Sequence, residues 1–162
     1  MSELKELSGR LAKLLLDRQK QLAVAESCTG GWLAKCLTDI SGSSGWFERG
    51  FVTYSNDAKR EMLGVDATTL AEHGAVSEAV VREMATGVLS HSPADIAVAI
   101  SGIAGPGGGS PGKPVGTVCF AFAERGGDIQ VMTCHFKGDR ELVRRSAVHY
   151  ALSQLVQLSG DG

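Results

Sequence analysis

No run of apolar residues in this 162-residue chain approaches the roughly 20 that a membrane-spanning helix needs. Its first ten residues, Met1 to Arg10, mix charges and lack the apolar centre of a secretory signal. Charge of one sign is also missing: the formal net charge is -2, too little for a broad electrostatic grip on nucleic acid or anionic lipid. The four cysteines (Cys28, Cys36, Cys119, Cys134) form no C-x-x-C pair and no zinc-like pattern with histidine. Metal and disulfide scaffolds are thereby set aside, and reduced thiols in the cytoplasm are expected. No repeat, linker or low-complexity tract breaks the chain apart from the glycine-rich stretch 102–114.

What is present suits one ordinary globular domain over residues 1–162, with 43% hydrophobic residues to fill its core. Leu4, Leu7, Leu11, Leu14 and Leu15 repeat at three and four, predicting a helix over 3–19. Leu22 to Ala25 reads as a buried strand, followed by a second helix with Leu33, Leu37 and Ile40 inward. Phe51 to Tyr54 is a strand candidate. Asn56 to Leu63 is read as a helix closed by Gly64, and Ser77 as the N-cap of a helix carrying Val80, Val81, Met84 and Val88.

Asp95 to Ser101, Val115 to Ala123 and Ile129 to Phe136 complete the strands. A two-residue turn at Gly126-Gly127 would set Cys119 opposite Cys134 on one face. The last helix starts near Asp139 and is expected to bury Leu142, Val143, Ala147, Leu152 and Leu155. Helices alternating with buried strands, then a hairpin and a helix, predict a three-layer α/β/α domain with a mixed, mainly parallel sheet.

Three segments carry candidate chemistry. Glu26-Ser27-Cys28-Thr29-Gly30-Gly31 lies between strand and helix, where free N–H groups attract an anion or oxyanion, although the G-K-[ST] ending of a Walker loop is missing. Tyr54-Ser55-Asn56-Asp57-Ala58-Lys59 spaces Tyr and Lys by five, so the pair converges only where a strand ends and a helix begins. A desolvated lysine there loses its proton more easily and serves as a base. Ser101-Gly102-Ile103-Ala104-Gly105-Pro106 opens a loop leading to another strand rather than a helix, which excludes a dinucleotide fingerprint.

Lesser candidates are Ser44, beside Trp46 and Phe47, and one of Arg140, Arg144 and Arg145 as a phosphate clamp, the others being surface charge. His73, His91, His135 and His149 are read as structural, and Cys28 as packing rather than a thiol nucleophile.

These motifs occur together and in order: Ala25 to Gly31, Tyr54-Ser55-Asn56 with Lys59, Gly74-Ala75-Val76-Ser77, Ser101 to Pro106 leading to Lys113-Pro114-Val115-Gly116-Thr117-Val118, and Gly138-Asp139-Arg140. The combination closely resembles the C-terminal domain of the competence-damage protein CinA and its stand-alone form, the nicotinamide-nucleotide amidohydrolases. The likeness covers about residues 5 to 157.

The resemblance implies hydrolysis of nicotinamide mononucleotide to nicotinate mononucleotide and ammonia in pyridine-nucleotide recycling. It implies serine–lysine chemistry without metal or cofactor, a cytoplasmic location and a homodimer. Carried onto this chain, it gives Ser27, Lys59 and Tyr54 as catalytic residues, with Ser44, Ser101 and Arg140 in the pocket. Two assignments fit. In the favoured one Ser27 attacks and the Thr29-Gly30-Gly31 turn receives the oxyanion, with Gly102 counted among the substrate-binding residues. In the other the turn binds the 5′-phosphate and Ser44 attacks. The rival from another class is a nucleotide-binding module without catalysis, which would not need an activated Lys59.

Overall fold

The computed structural model describes residues 2–160. Five strands form one sheet: β1 (Leu22–Glu26), β2 (Phe47–Val52), β3 (Ile96–Gly102), β4 (Thr117–Glu124) and β5 (Ile129–His135), in the order β2-β1-β3-β4-β5. β1 is parallel to both β2 and β3, whereas β4 is antiparallel to β3 and β5 to β4. Four strands therefore run one way, with β4 opposed. Six helices flank the sheet: α1 (Glu3–Arg18), α2 (Trp32–Thr38), α3 (Asn56–Leu63), α4 (Ala67–His73), α5 (Glu78–Ser90) and α6 (Arg140–Gly160). Among the described residues, no helix is long and apolar enough to cross a membrane.

The strand sequences dictate the two cores. In the central strands large and small residues alternate, and the pleat sends them to opposite faces. Leu22, Val24, Val98, Ile100, Val118, Phe120 and Phe122 meet α1, α2 and α6. Ala23, Ala25, Ala97, Ala99, Cys119, Ala121 and Ala123 meet Val80, Val81, Met84 and Val88 of α5. A face of alanines lets α5 lie close to the sheet. α3 in turn lies close to α5, since a Cβ at Gly87 would stand 2.1 Å from the Leu63 carbonyl oxygen.

Local signals set the helix starts: Ser55 Oγ accepts from Ala58 N at 3.0 Å, and Ser77 Oγ from Val80 N at 3.2 Å.

Three expectations need correction, and one helix, α4, was not foreseen. β2 lies at Phe47–Val52, earlier than Phe51 to Tyr54. It is an edge strand with polar residues Glu48 and Arg49, and a register shift opposite Leu22/Ala23 hides its alternation. The helix α4 had only its Asp66 cap, accepting from Thr68 N, as a signal. Leu142 is 48% exposed, because the buried stripe of α6 begins at Val143.

The hairpin register is one residue off. Cys119 pairs with Thr133 and Val118 with Cys134, so the two cysteines sit on opposite faces of the sheet. The turn closes with Gly127 N donating to Glu124 O at 2.9 Å, and Arg125 is drawn out of the hairpin. Its guanidinium donates to Leu89, Ser92 and Ala94 carbonyls behind α5, lengthening the loop by one residue.

Candidate active site

Parallel strands deliver their following loops to one end of the sheet. β1 and β2 are neighbours, so Ser27 leaves β1 beside Thr53 and Tyr54 leaving β2. Two bonds hold this junction: Thr53 N donates to Glu26 O at 2.9 Å, and Ser27 N donates to Ile100 O at 3.0 Å. The Ser55 cap then starts α3, which aims Lys59 back at the strand ends.

Lys59 Nζ stands 3.0 Å from Ser27 Oγ, 3.1 Å from Thr53 O and 3.3 Å from Tyr54 O. Lys59 is 1% exposed and Ser27 7%. Burial lowers the pKa of the lysine from its ordinary value, opposed only by the Cys28 thiol. Among the described residues, no carboxylate lines the cavity around it. Glu26, which precedes Ser27, is turned to the start of α2, where its carboxylate accepts from Thr29 Oγ1 at 2.6 Å and from Leu33 N and Ala34 N at 2.9 Å. With no counter-ion, the amine is eased toward the neutral form that can accept a hydroxyl proton.

The cavity holds about 290 Å³ and brings together Ser27, Tyr54, Lys59, Ser101, Gly102 and Arg140, with Asn56 and the Ala75–Val76 segment. The Ser101 hydroxyl donates to Ala75 O at 2.8 Å and so braces that wall. Gly102 leaves no room for a side chain: a Cβ would be 2.7 Å from Val118 Cγ2 and 3.1 Å from Cys28 Sγ. At the mouth Arg140 donates to Gly105 O at 2.8 Å and to the Tyr54 phenol at 3.2 Å. Tyr54 is thus split, its carbonyl on Lys59 and its 60% exposed ring over the opening.

Two groups of expected site residues lie elsewhere. Ser44 belongs to the 3-10 turn Ser43–Gly45 ahead of β2, at the end of the sheet where β1 begins, opposite to Ser27. Within one chain it does not line the cavity, which removes the local basis for Ser44 as nucleophile. Thr29, Gly30 and Gly31 line a separate depression with Trp32 and Lys35. The Thr29 hydroxyl is committed to Glu26, and Gly30 N donates to Ser27 O at 3.0 Å.

Sequence reading missed Asn56 and the Ala75–Val76 wall, though both lie inside the motifs quoted above. It also took Arg144 for surface charge; Arg144 instead donates to Cys28 O at 3.0 Å and Thr29 O at 3.1 Å, with Trp32 beside it. Burial pushes the Cys28 thiol up to about 11, which makes it a poor nucleophile at neutral pH. Among the described residues, no three His, Cys, Asp or Glu side chains are grouped as metal ligands.

A three-layer α/β domain with a buried serine–lysine pair in a strand-end cavity is the class that this fold and site define. A family model, the CinA C-terminal domain, matches residues 4–159, and the chain belongs to that family. It is 61% identical over 157 residues to the nicotinamide-nucleotide amidohydrolase PncC of Escherichia coli K12, covering 96% of this chain and 94% of that protein. To the enzyme of the same name from Enterobacter agglomerans it is 56% identical, covering 94% of each. The crystal structure of competence/damage inducible protein CihA from Agrobacterium tumefaciens superposes with a TM-score of 0.95 at 45% identity. That match covers 98% of this chain and 96% of the other.

Proposed function

We propose that this chain is an amidohydrolase that converts nicotinamide mononucleotide and water to nicotinate mononucleotide and ammonia, using Ser27 and Lys59. The observation that carries the chemistry is the 3.0 Å approach of Lys59 Nζ to Ser27 Oγ in a buried pocket without carboxylates. The relatives named amidohydrolases supply the substrate class.

A carboxamide is a poor electrophile with a poor leaving group, so its cleavage needs a nucleophile, a base that becomes an acid, and oxyanion donors. Ser27 Oγ attacks the amide carbon while neutral Lys59 takes the hydroxyl proton. The resulting ammonium gives that proton to the departing nitrogen, releasing ammonia and leaving an ester on Ser27. Water, deprotonated by Lys59, then attacks the ester carbon, and Lys59 returns that proton to the departing Ser27 Oγ, which frees the acid product and restores the neutral amine. Tyr54 holds Lys59 through its main-chain carbonyl and shares the mouth with Arg140, which faces the phosphate. Ser101 and Gly102 shape the wall, and the Thr29-Gly30-Gly31 turn follows the nucleophile.

We place this one-domain enzyme (residues 1–162) in the cytoplasm, a compartment that keeps its four free cysteines reduced. A homodimer fits the open β2 edge, where Val52 is 48% exposed; light scattering on the purified protein reads the mass directly. Ammonia release by purified protein, and its loss in Ser27→Ala, tests the activity. Tight binding of the nucleotide with no ammonia released would leave a binding module instead.

A further inference from the structure

Arg144 lies outside the Ser27 cavity, and its guanidinium is spent on two main-chain carbonyls of the turn that carries the nucleophile. Nη2 donates to Thr29 O at 3.1 Å. The N–H of that same peptide belongs to Gly30 and donates to Ser27 O at 3.0 Å. The N–H of the next peptide in this chain belongs to Cys28. No other residue accepts from it among the described residues, and Cys28 lines the cavity beside Ser27. Arg144 Nε reaches the far side of the same residue, at Cys28 O and 3.0 Å.

A peptide whose carbonyl accepts from a cation becomes a stronger donor at its N–H, and the effect passes along a hydrogen-bonded chain. The path runs from Arg144 through the Thr29–Gly30 peptide to the Ser27–Cys28 peptide and ends on the Cys28 N–H, whose residue, unlike Thr29 and Gly31, lines the cavity. Glu26 grips the turn from the other side through Thr29 Oγ1 and the first N–H groups of α2. The turn is therefore fixed from both sides, and Ser27 is followed by a stationary, polarised donor.

We propose that Arg144 is a positioning residue for the reaction, which orients and polarises the Cys28 N–H as the oxyanion donor. The inference rests on Ser27 being the nucleophile of the proposed amidohydrolase. It is distinct from a phosphate clamp, because an arginine that binds substrate changes KM, whereas one that prepares an oxyanion donor changes kcat.

The test compares the parent with Arg144→Ala and Arg144→Lys on nicotinamide mononucleotide, together with the rate at which a serine-directed phosphonate labels Ser27. Loss of an oxyanion donor costs about 100- to 1,000-fold, and loss of its alignment less, so kcat in Arg144→Ala should fall about 10- to 100-fold. KM should stay within about threefold, and the midpoint of the acid limb of kcat/KM should not move, since Lys59 is untouched. Arg144→Lys, with one bond in place of two, should be intermediate, and added guanidinium should partly restore Arg144→Ala.

A kcat within threefold of the parent, or a raised KM with kcat kept, overturns the proposal. Should Arg144→Ala fail to fold, Arg144→Lys decides alone: parent-like turnover overturns, reduced kcat at unchanged KM supports. A parent that labels at Ser27 but releases no ammonia overturns the substrate assignment, and the labelling rates then judge Arg144. A parent that neither labels nor turns over overturns both.

Discussion

Tyr54 and Lys59 meet through the main chain: the Tyr54 carbonyl lies 3.3 Å from Lys59 Nζ, while the tyrosine ring reaches over the cavity mouth to Arg140. The two halves of Tyr54 therefore do different work, and substitution separates them. Tyr54→Phe keeps the carbonyl and loses one hydrogen bond, a contact whose net value of about 1 kcal/mol limits the loss to about tenfold. Lys59→Ala removes the base and should cost at least about 100-fold in kcat. Both should remain folded by circular dichroism. Equal losses in the two variants would place the phenol, not the carbonyl, in the proton path.

The lowered pKa of Lys59 fixes two pH dependences with known signs. The neutral amine is the base, so kcat/KM should rise with pH and level off at a midpoint below 10.5, the ordinary lysine value. Stability follows the same group. Between its folded pKa and 10.5 the unfolded chain binds the proton and the folded chain does not, so raising pH across that window should stabilise the fold. Below the folded pKa the burial penalty is present in full. Urea titrations of the parent and Lys59→Met across this range should show the rise in the parent alone; parallel curves would mean that the lysine is not perturbed.

The closeness of α3 to α5 gives a stability prediction that also reaches the site. Gly87→Ala puts a methyl group against the Leu63 carbonyl, at the end of the helix that carries Lys59. Overpacking of this kind costs about 1–3 kcal/mol, so the urea midpoint should drop, and kcat should fall as α3 shifts. A variant with unchanged midpoint and turnover would show that the two helices part freely.

Much of this was legible in the chain because the signals were local. The double-sided burial of β1 and β3 shows as unbroken apolar runs, and the starts of α3 and α5 are written in Ser55 and Ser77. The likeness of the motifs to a known family named Ser27 and Lys59. Their contact, however, depends on β2 lying beside β1, a pairing between distant segments, and β2 itself was misplaced because a polar, bulged edge strand shows little alternation. The separation of Ser44 from Ser27 within one chain was hidden for the same reason, since it follows from which end of β2 Ser44 precedes. Arg144 looked like any helix-surface cation, since nothing in α6 announces that its side chain ends on carbonyls more than a hundred residues earlier. The hairpin slipped by one because Arg125 is anchored behind α5, a contact no turn rule contains.

Arg140 stands where a phosphate would have to pass. Its guanidinium bridges Gly105 O and the Tyr54 hydroxyl across the cavity mouth, opposite the buried end where Lys59 meets Ser27. A nucleotide whose amide reaches Ser27 must leave its ribose and phosphate toward that mouth, and neither present partner of Arg140 is an anion. Phosphate oxygens would replace them with charge-assisted bonds in a forked geometry that lysine cannot copy. Binding energy from so remote a group serves to position the amide. Arg140→Lys should therefore lower kcat/KM for nicotinamide mononucleotide, and Arg140→Ala should lower it further. The dephosphorylated nucleoside should be a poor substrate for the parent, and its kcat/KM should change little in the variants, so the ratio between the two substrates should shrink. Six kcat/KM values, two substrates on three proteins, decide the matter. A preference for the nucleotide that survives intact in Arg140→Ala would mean that the phosphate is held elsewhere, with the depression of Thr29, Gly30, Gly31 and Lys35 as the next place to look.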